Sequence, residues 1–522
     1  MFRQMNHSKI FYMKCKLFLF SSLLIGTATM AQVPEDAIRF SWLAPSGTAR
    51  SQAIGGAMGS LGGDITATFT NPAGLGLYKT GELVLSPGFT FLNNKADFRG
   101  ESNADKKSSF NFGTTGLVLG FNGRGNGIKS GAFSVAVNRI ANFNSQVYYK
   151  GENDFSSFSE QYATELSNSG IPIGNPALNS PSISLGTKMA IYTYLIDTAT
   201  INGASQVVGF PEFLATRQQE NMIVTTGGIT ELAFGLAGNS NDKFYFGGSL
   251  GIPIVNYGRT STFTERDISG NKDNDFDFST LRDSYTTKGI GLNAKLGMIV
   301  KAAESVRLGL AIHTPTIYGL KDTYFGEMNT NTENYAGLQK VTTDSFTTYR
   351  VSQYEYDMMS PWKILVSASY VFREVEDVTK QRGFISADVE YINYNGASYQ
   401  SASTDNSDNS YYEGVNKTIN DIYKGSINAK VGGELKFNTF MVRAGYAYYG
   451  NPNKETELKA SRTYISGGLG YRNKGIFVDF TYVYGMQKEA NFPYILSDRA
   501  NTFANIKGSS SNVLLTVGFK LF

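Results

Sequence analysis

Stretches of about ten residues in which apolar and polar side chains alternate recur along this chain, and no other feature restricts its fold as much. Successive side chains of a strand point to opposite faces, so each stretch has one oily and one wet side. From Ile427 to Leu435, one face carries Ile427, Ala429, Val431, Gly433 and Leu435, and the other Asn428, Lys430, Gly432 and Glu434. Ile385, Ala387, Val389 and Tyr391 oppose Ser386, Asp388 and Glu390; Ile476, Val478, Phe480, Tyr482 and Tyr484 oppose Asp479 and Thr481. Similar patterns lie near 83–91, 110–121, 131–139, 228–237, 243–255, 286–300, 305–318, 361–372, 438–449, 462–472 and 511–522. Ten residues is the length a tilted strand needs to cross a bilayer.

A soluble sandwich also alternates, so the sense of "inside" has to be argued. Several apolar faces end in aromatic residues, Tyr391, Tyr448, Tyr484 and Tyr370 with Phe372, which suits girdles at membrane interfaces. The opposite faces hold ionisable groups at mid-strand: Glu231, Lys295, Arg307, Asp388, Glu390, Lys430, Glu434, Arg443 and Asp479. In a sandwich these are solvated outer residues; in a barrel, both signs on successive strands pair across a polar lumen. Connection lengths favour the barrel. Short links occur at 122–128, 238–242, 302–304, 373–381, around Asn438 and at Asn473-Lys474, and long polar ones at 93–108, 140–225, 257–284, 319–360, 395–421, 451–460 and 488–510. Short turns at one end and long loops at the other are the habit of outer-membrane barrels. A further strand-like patch at 345–358 is assigned to the loop before Pro361, because fifteen strands would put the chain ends on opposite sides. The expectation is a 14-stranded antiparallel transmembrane β-barrel over 81–522.

Export agrees with this. Arg3, Lys9, Lys14 and Lys16 precede the apolar run Leu17–Ile25, and Thr29-Met30-Ala31 offers a small-residue cleavage site, so 1–31 reads as a signal peptide. Removing four positive charges from a net +3 leaves the mature chain near −1, which argues against a nucleic-acid partner. Cys15, the only cysteine, goes with that segment, excluding disulfides, thiolate zinc sites and thiol nucleophiles. No later window is apolar for 18 residues, so no helix is expected to span the membrane.

The largest loop, 140–225, contains a helix-like patch at Phe155–Leu166 and apolar runs at Ile183–Leu195 and Val207–Leu214. Apolar side chains there fold onto the barrel mouth or meet something greasy. The run 401–410, SASTDNSDNS, reads as a polar loop tip.

Before the first strand, residues 46–62 (SGTARSQAIGGAMGSLG) place Ile54, Met58 and Leu61 on one side of a Gly-weakened helix. Such a thin element is reasonable against a wall that demands close approach. Asn71 is placed to cap a helical turn beginning at Pro72. The fifty residues before the first strand are too few for a separate domain and well sized to fold back into a lumen, so 32–80 is expected to be a plug.

The stretch GTARSQAIGGAMGSLGGDITATFTNPAGLGLY, the strand count and the aromatic C-terminus together resemble the FadL/TodX family of outer-membrane transport proteins. The resemblance implies an N-terminal hatch whose turn is Asn71-Pro72-Ala73. It implies passive uptake of hydrophobic small molecules, such as long-chain fatty acids or aromatic hydrocarbons, released sideways into membrane lipid after hatch movement. The gap in that family is made by a kinked third strand, here 131–139, with NRIANFN as the candidate irregularity. The C-terminal strand ending in Phe522 resembles the assembly signal of outer-membrane barrels, so the barrel-assembly machinery is an expected partner, and the chain is expected to be a monomer. A PorV-like role, as a partner in protein secretion or surface assembly, shares the hatch motif and remains the alternative.

Other chemistry is weaker. His313 is the only imidazole left after cleavage, and its strand phase turns it to the polar side, away from any lipid-facing Ser-His arrangement. Asp273, Asp275 and Asp277 alternate but lack a calcium loop's spacing. GRGNG at 123–127 lacks the Gly-Lys-Ser/Thr of a phosphate loop. No catalytic residue, metal or cofactor is expected.

Overall fold

The computed structural model describes residues 34–41, 45–123, 127–347, 352–372, 382–402, 406–455, 458 and 460–521; the expected signal peptide 1–31, the expected short link at 373–381 and Phe522 lie outside the described residues. One antiparallel sheet closes on itself. Its strands are β1 (Gly81–Leu85 and Pro87–Phe98), β2 (Glu101–Phe112 and Thr115–Asn122), β3 (Ile128–Asn142 and Ser145–Asn153) and β4 (Arg217–Ser240). These are followed by β5 (Phe244–Asp267), β6 (Phe278–Ala303), β7 (Val306–His313 and Ile317–Asn331), β8 (Ser352–Met359 and Lys363–Phe372) and β9 (Gly383–Ile392). The last five are β10 (Ser426–Phe437), β11 (Phe440–Tyr449), β12 (Arg462–Asn473), β13 (Ile476–Asn491) and β14 (Ala504–Leu521). Each pairs with the next, and β14 returns to β1 with Gly81 opposite Leu521 and Gly88 opposite Leu514. Closure removes the exposed edges an open sheet would have.

The outward residues are apolar and bare. Leu236, Leu292, Leu296, Val366, Ile385 and Leu469 are more than half exposed, and dozens of others share their face. A patch of that size has no counterpart on a soluble monomer. Phe440 with Tyr471 (ring centroids 5.2 Å apart) and Tyr370 with Phe372 mark the short-turn edge of this band; Trp362 with Tyr391, 5.6 Å apart, marks the other. A barrel with an oily belt and aromatic rims is a membrane-spanning barrel.

The strands run further than the alternation predicts. β4, β5 and β6 have 24, 24 and 26 residues, so the wall rises well past the belt towards the long loops. The 140–225 segment is therefore mostly strand at its ends, with a loop proper of 154–216. The patch at 345–358, expected to be loop, is instead the upper half of β8: Ser352–Met359 pairs with Ile317–Tyr324 of β7, and Ser360-Pro361 merely interrupts it. Fourteen strands result because the two pieces are one strand. The expected loop tip at 401–410 is likewise corrected, since α6 spans Asn406–Ile422. Its buried apolar residues Tyr412 and Ile419, with Tyr423 just past its end, begin only where the polar run ends and pack into the barrel's upper lumen.

The long-loop end is capped by α3 (Ser159–Ser169), α4 (Asn175–Asn179), α5 (Leu185–Tyr192) and a hairpin (Ile196–Ile201 and Ala204–Gly209). Tyr162, Ala163 and Leu166 of α3 and Met189, Ala190 and Ile191 of α5 are buried against Phe263, Met328 and Leu496. Gly170, at φ 65°, lets the chain turn out of α3.

Candidate functional site

Residues 45–80 lie inside the lumen and touch most of the wall. The segment contains α2 (Ala49–Ala53) and two 3₁₀ turns, Ile65–Thr68 and Pro72–Leu77. Thr48, Asp64 and Asn71 cap these three elements by accepting from Ser51, Thr66 and Ala73 backbone N–H groups. Thr48 also donates to the Asp64 carboxylate (2.8 Å), folding the segment back on itself.

Asn71 does more than cap. Its Nδ2 donates to the Gly59 carbonyl (2.6 Å) and reaches the Met298 and Leu310 carbonyls of β6 and β7 (3.2 and 3.4 Å). The wall admits it because Gly297 has no side chain: a Cβ there would sit 1.9 Å from Asn71 Oδ1. Gly247 makes the same room for the Pro72 carbonyl, and Ala73 is fully buried beside Tyr245 and Ile299.

Other anchors run round the barrel. Ser249 and Ser134 bond Thr68, Ser130 donates to the Gly76 carbonyl, and His313 Nε2 donates to the Thr70 carbonyl at 2.7 Å. Arg307 donates to the Leu61 carbonyl (2.9 Å), Thr481 to the Ala49 carbonyl (2.5 Å), and Thr516 accepts from Ala49 N–H (2.8 Å).

The mid-strand charges fall into separate groups rather than one network. Lys295 pairs with Glu231, and its ammonium also reaches Asn293 (2.7 Å). Glu390 lies between Lys363 (3.2 Å) and Lys430 (3.8 Å) and accepts from Asn428. Asp388 accepts from Ser367 (2.5 Å) and from Gly59 N–H of the hatch (3.0 Å). Arg443 binds Glu434 and Asp479, both at 2.6 Å, and Arg50 of α2 approaches Glu434 at 3.5 Å. Arg307 faces the hatch backbone. Asp388, Glu434 and Arg307 thus each contact the hatch, and most of these charges are buried, with Lys363, Lys430 and Glu434 partly so; pairing is what makes such charges tolerable.

Above the hatch is a cavity of about 3380 Å³. Its walls include Asp36, Ile38 and Arg39 of α1 (Pro34–Arg39), Gln52 of the hatch, Tyr257 and Tyr285 of β5 and β6, and the cap residues Tyr162 and Ile495. Around α1, Ile38 and Phe40 pack with Phe143, Tyr257 and Tyr356, while Asp322 accepts from the Tyr285 and Tyr356 hydroxyls. Sequence reasoning missed this cluster, because its residues lie above the belt, where no lipid-facing partner pattern marks them.

The cavity also reaches the wall at Phe112, Gly113, Asn142, Phe143 and Asn144. There the wall is broken. β2 and β3 pair only from Thr115 opposite Val137 to Asn122 opposite Ser130. Above that, Glu101–Phe112 pairs only with β1, and Ser145–Asn153 only with β4. β3 shifts register between Arg139 and Ala141, and Phe143 N–H turns to the Gly227 carbonyl. Side chains alone span the break: Asn142 donates to Ser109 and Gln146 to Asp105, both at 3.1 Å, and Lys107 to the Thr225 carbonyl at 3.0 Å.

No family model matches the sequence, and no curated protein matches it. Solved structures do. A Pseudomonas aeruginosa FadL homologue superposes with TM-score 0.52 at 13% identity, over 91% of this chain and 99% of the other. The P. putida toluene transporter TodX gives 0.50 at 12% identity, over 91% and 99%. A TodX monoaromatic hydrocarbon channel mutant gives 0.51 at 12%, with the same coverage. The fold is that of the FadL-type channels. The substrate contacts must be argued from this chain's own residues.

Proposed function

We propose that this FadL-type barrel is an outer-membrane channel for passive uptake of hydrophobic compounds. The observation that carries the reading is the cavity above the corked lumen, which reaches the wall where β2 and β3 stop pairing. An apolar molecule gains about 0.8 kcal/mol for each CH₂ taken from water, so capture on apolar stretches such as Phe143, Tyr162, Tyr257 and Ile495, in a cavity that also has charged walls, and onward transfer to lipid are both downhill. The corked and charged lumen is a poor route for such cargo. A sideways step between β2 and β3 avoids it and needs only a small shift of hatch residues such as Gln52, which line the cavity. Long-chain fatty acids and aromatic hydrocarbons are the cargo classes this route fits, and a single chain contains all its parts.

The test is to bridge the break. Ser109→Cys with Asn142→Cys, joined by a short bis-maleimide, closes β2 onto β3 in a chain whose mature part has no other cysteine. Uptake of radiolabelled fatty acid in a deletion strain is expected to fall to background after bridging, while the uncrosslinked pair retains it. Undiminished uptake in the bridged protein sinks the sideways route. Retained surface secretion with no uptake in either form favours the PorV-like role instead.

A further inference from the structure

Arg139 occupies an unusual position for a cation. It shares its strand phase with Phe133 and Val137, which face lipid, whereas Ser134 and Asn138 face the hatch. Its neighbour across the ladder is Thr230, which in turn faces the lipid-exposed Ile254 of β5, so Arg139 stands at the upper rim of the oily belt. It also lies just above the last β2–β3 pair and lines the cavity. Its guanidinium donates to Thr230 Oγ1 (3.2 Å) and rests over Gly228, where a Cβ would be 2.4 Å from Nη2. No carboxylate pairs with it among the described residues, although most other inward or interfacial cations are paired. The acid on the facing edge of the break, Asp105, lies nearer the loops and takes its hydrogen bond from Gln146.

We infer that Arg139 receives the anionic head group of an amphiphilic cargo, a long-chain monocarboxylate, as its tail passes through the break into the bilayer; this rests on the sideways route proposed above. Geometry and energy agree. The belt's rim is the depth at which a carboxylate stays hydrated while its hydrocarbon chain enters lipid, and a half-buried guanidinium with free N–H groups is a strong partner for two carboxylate oxygens. A neutral hydrocarbon or alcohol has no use for it. Arg139 would therefore be a specificity-determining residue, favouring carboxylates over neutral chains of equal length.

The probes are radiolabelled hexadecanoate and hexadecanol, taken up by a deletion strain carrying the native protein, Arg139→Gln or Arg139→Lys. Hexadecanoate uptake by R139Q is expected to fall about tenfold, R139K to keep most of it, and hexadecanol to stay within about twofold. An equal fall for both probes with R139Q would make the residue structural and overturn the inference, as would no change for either. Unchanged hexadecanoate uptake with less co-purifying lipopolysaccharide would assign the guanidinium to lipid phosphate, also overturning it. If the native protein takes up neither probe, the channel reading itself fails, a different result from any of these.

Discussion

Two sides of this barrel are built from the same alternating sequence and behave differently. From β10 to β13 the ladders run unbroken, with Phe437 opposite Phe440 at one end and Asn428 opposite Tyr449 near the other. Behind them Arg443, Glu434 and Asp479 tie three strands together, and Arg50 ties them to the hatch. On the opposite side, β2 and β3 share only a short ladder, and their upper halves meet through polar side chains. Among the described residues the first wall combines unbroken backbone ladders with a buried ion-pair group, whereas the upper β2–β3 seam is held by exposed or partly exposed side chains, Lys150 with Glu101 (3.9 Å) among them; the two walls are therefore expected to differ in how easily they part.

The comparison is most sharply broken by removing the fastener. Arg443→Ala leaves Glu434 and Asp479 buried without their shared cation, which is expected to destabilise the barrel by about 3–5 kcal/mol. Urea unfolding of the detergent-solubilised protein measures this. Asn142→Ala on the open wall, which loses a hydrogen bond at a partly exposed site, is expected to cost under about 1 kcal/mol. Equal losses would mean that the two walls do not differ in the way proposed.

The hatch sharpens the contrast from inside. Asn71→Ala removes a cap and the donors to three carbonyls, an expected cost of about 2 kcal/mol. Asn71→Asp keeps the cap, yet it would turn a carboxylate oxygen towards the Gly59, Met298 and Leu310 carbonyls. It is therefore expected to be the more damaging change, although smaller in volume change than Ala. If N71D proves as stable as the native protein in the same urea titration, the donor role assigned to Nδ2 is wrong.

The belt was legible because lipid imposes one rule on every strand, so Ile427–Leu435 or Ile476–Tyr484 announces its own phase. Above the belt the contrast weakens: Arg217–Asn221 is polar on both faces, and although Tyr354, Tyr356 and Met358 alternate with Gln353, Glu355 and Asp357, the interruption at Ser360-Pro361 and the strand parity hid that this patch continues β8. The hatch turn was visible in Asn71-Pro72, but its partners are backbone carbonyls, which carry no sequence signal. The break in β3 showed faintly in NRIANFN, since Asn142 and Asn144 are poor strand residues; what fixes it, the Gly227 carbonyl, lies more than eighty residues away. Arg139 went unremarked because a cation on an oily face at a strand's end looks like an ordinary terminus until the missing neighbour is seen.

The smallest expected effect lies in the cap that roofs the fixed and open walls alike. Burial pushes the Glu265 carboxyl up to about 7, despite hydrogen bonds from Ser157 and Gln219, and burial also pushes Glu212 up to about 7 against the opposing bond from Gly209 N–H. Both sit in the cap region, far beyond the belt. A carboxyl whose folded pKa exceeds its unfolded value of 4.5 makes the folded form bind more protons, so stability falls as pH rises from about 4.5 to about 7 and is level above that. Proteolysis within 155–169 is therefore expected to be slower at pH 5 than at pH 8, by less than the changes above because only the cap opens. Glu265→Gln with Glu212→Gln should flatten that dependence. If the double variant keeps the full pH response, some other titrating group carries it and the assignment to Glu265 and Glu212 is wrong; if the native cap shows no pH response at all, apolar packing such as that of Phe158 on Phe263 (ring centroids 5.0 Å apart) is what holds it.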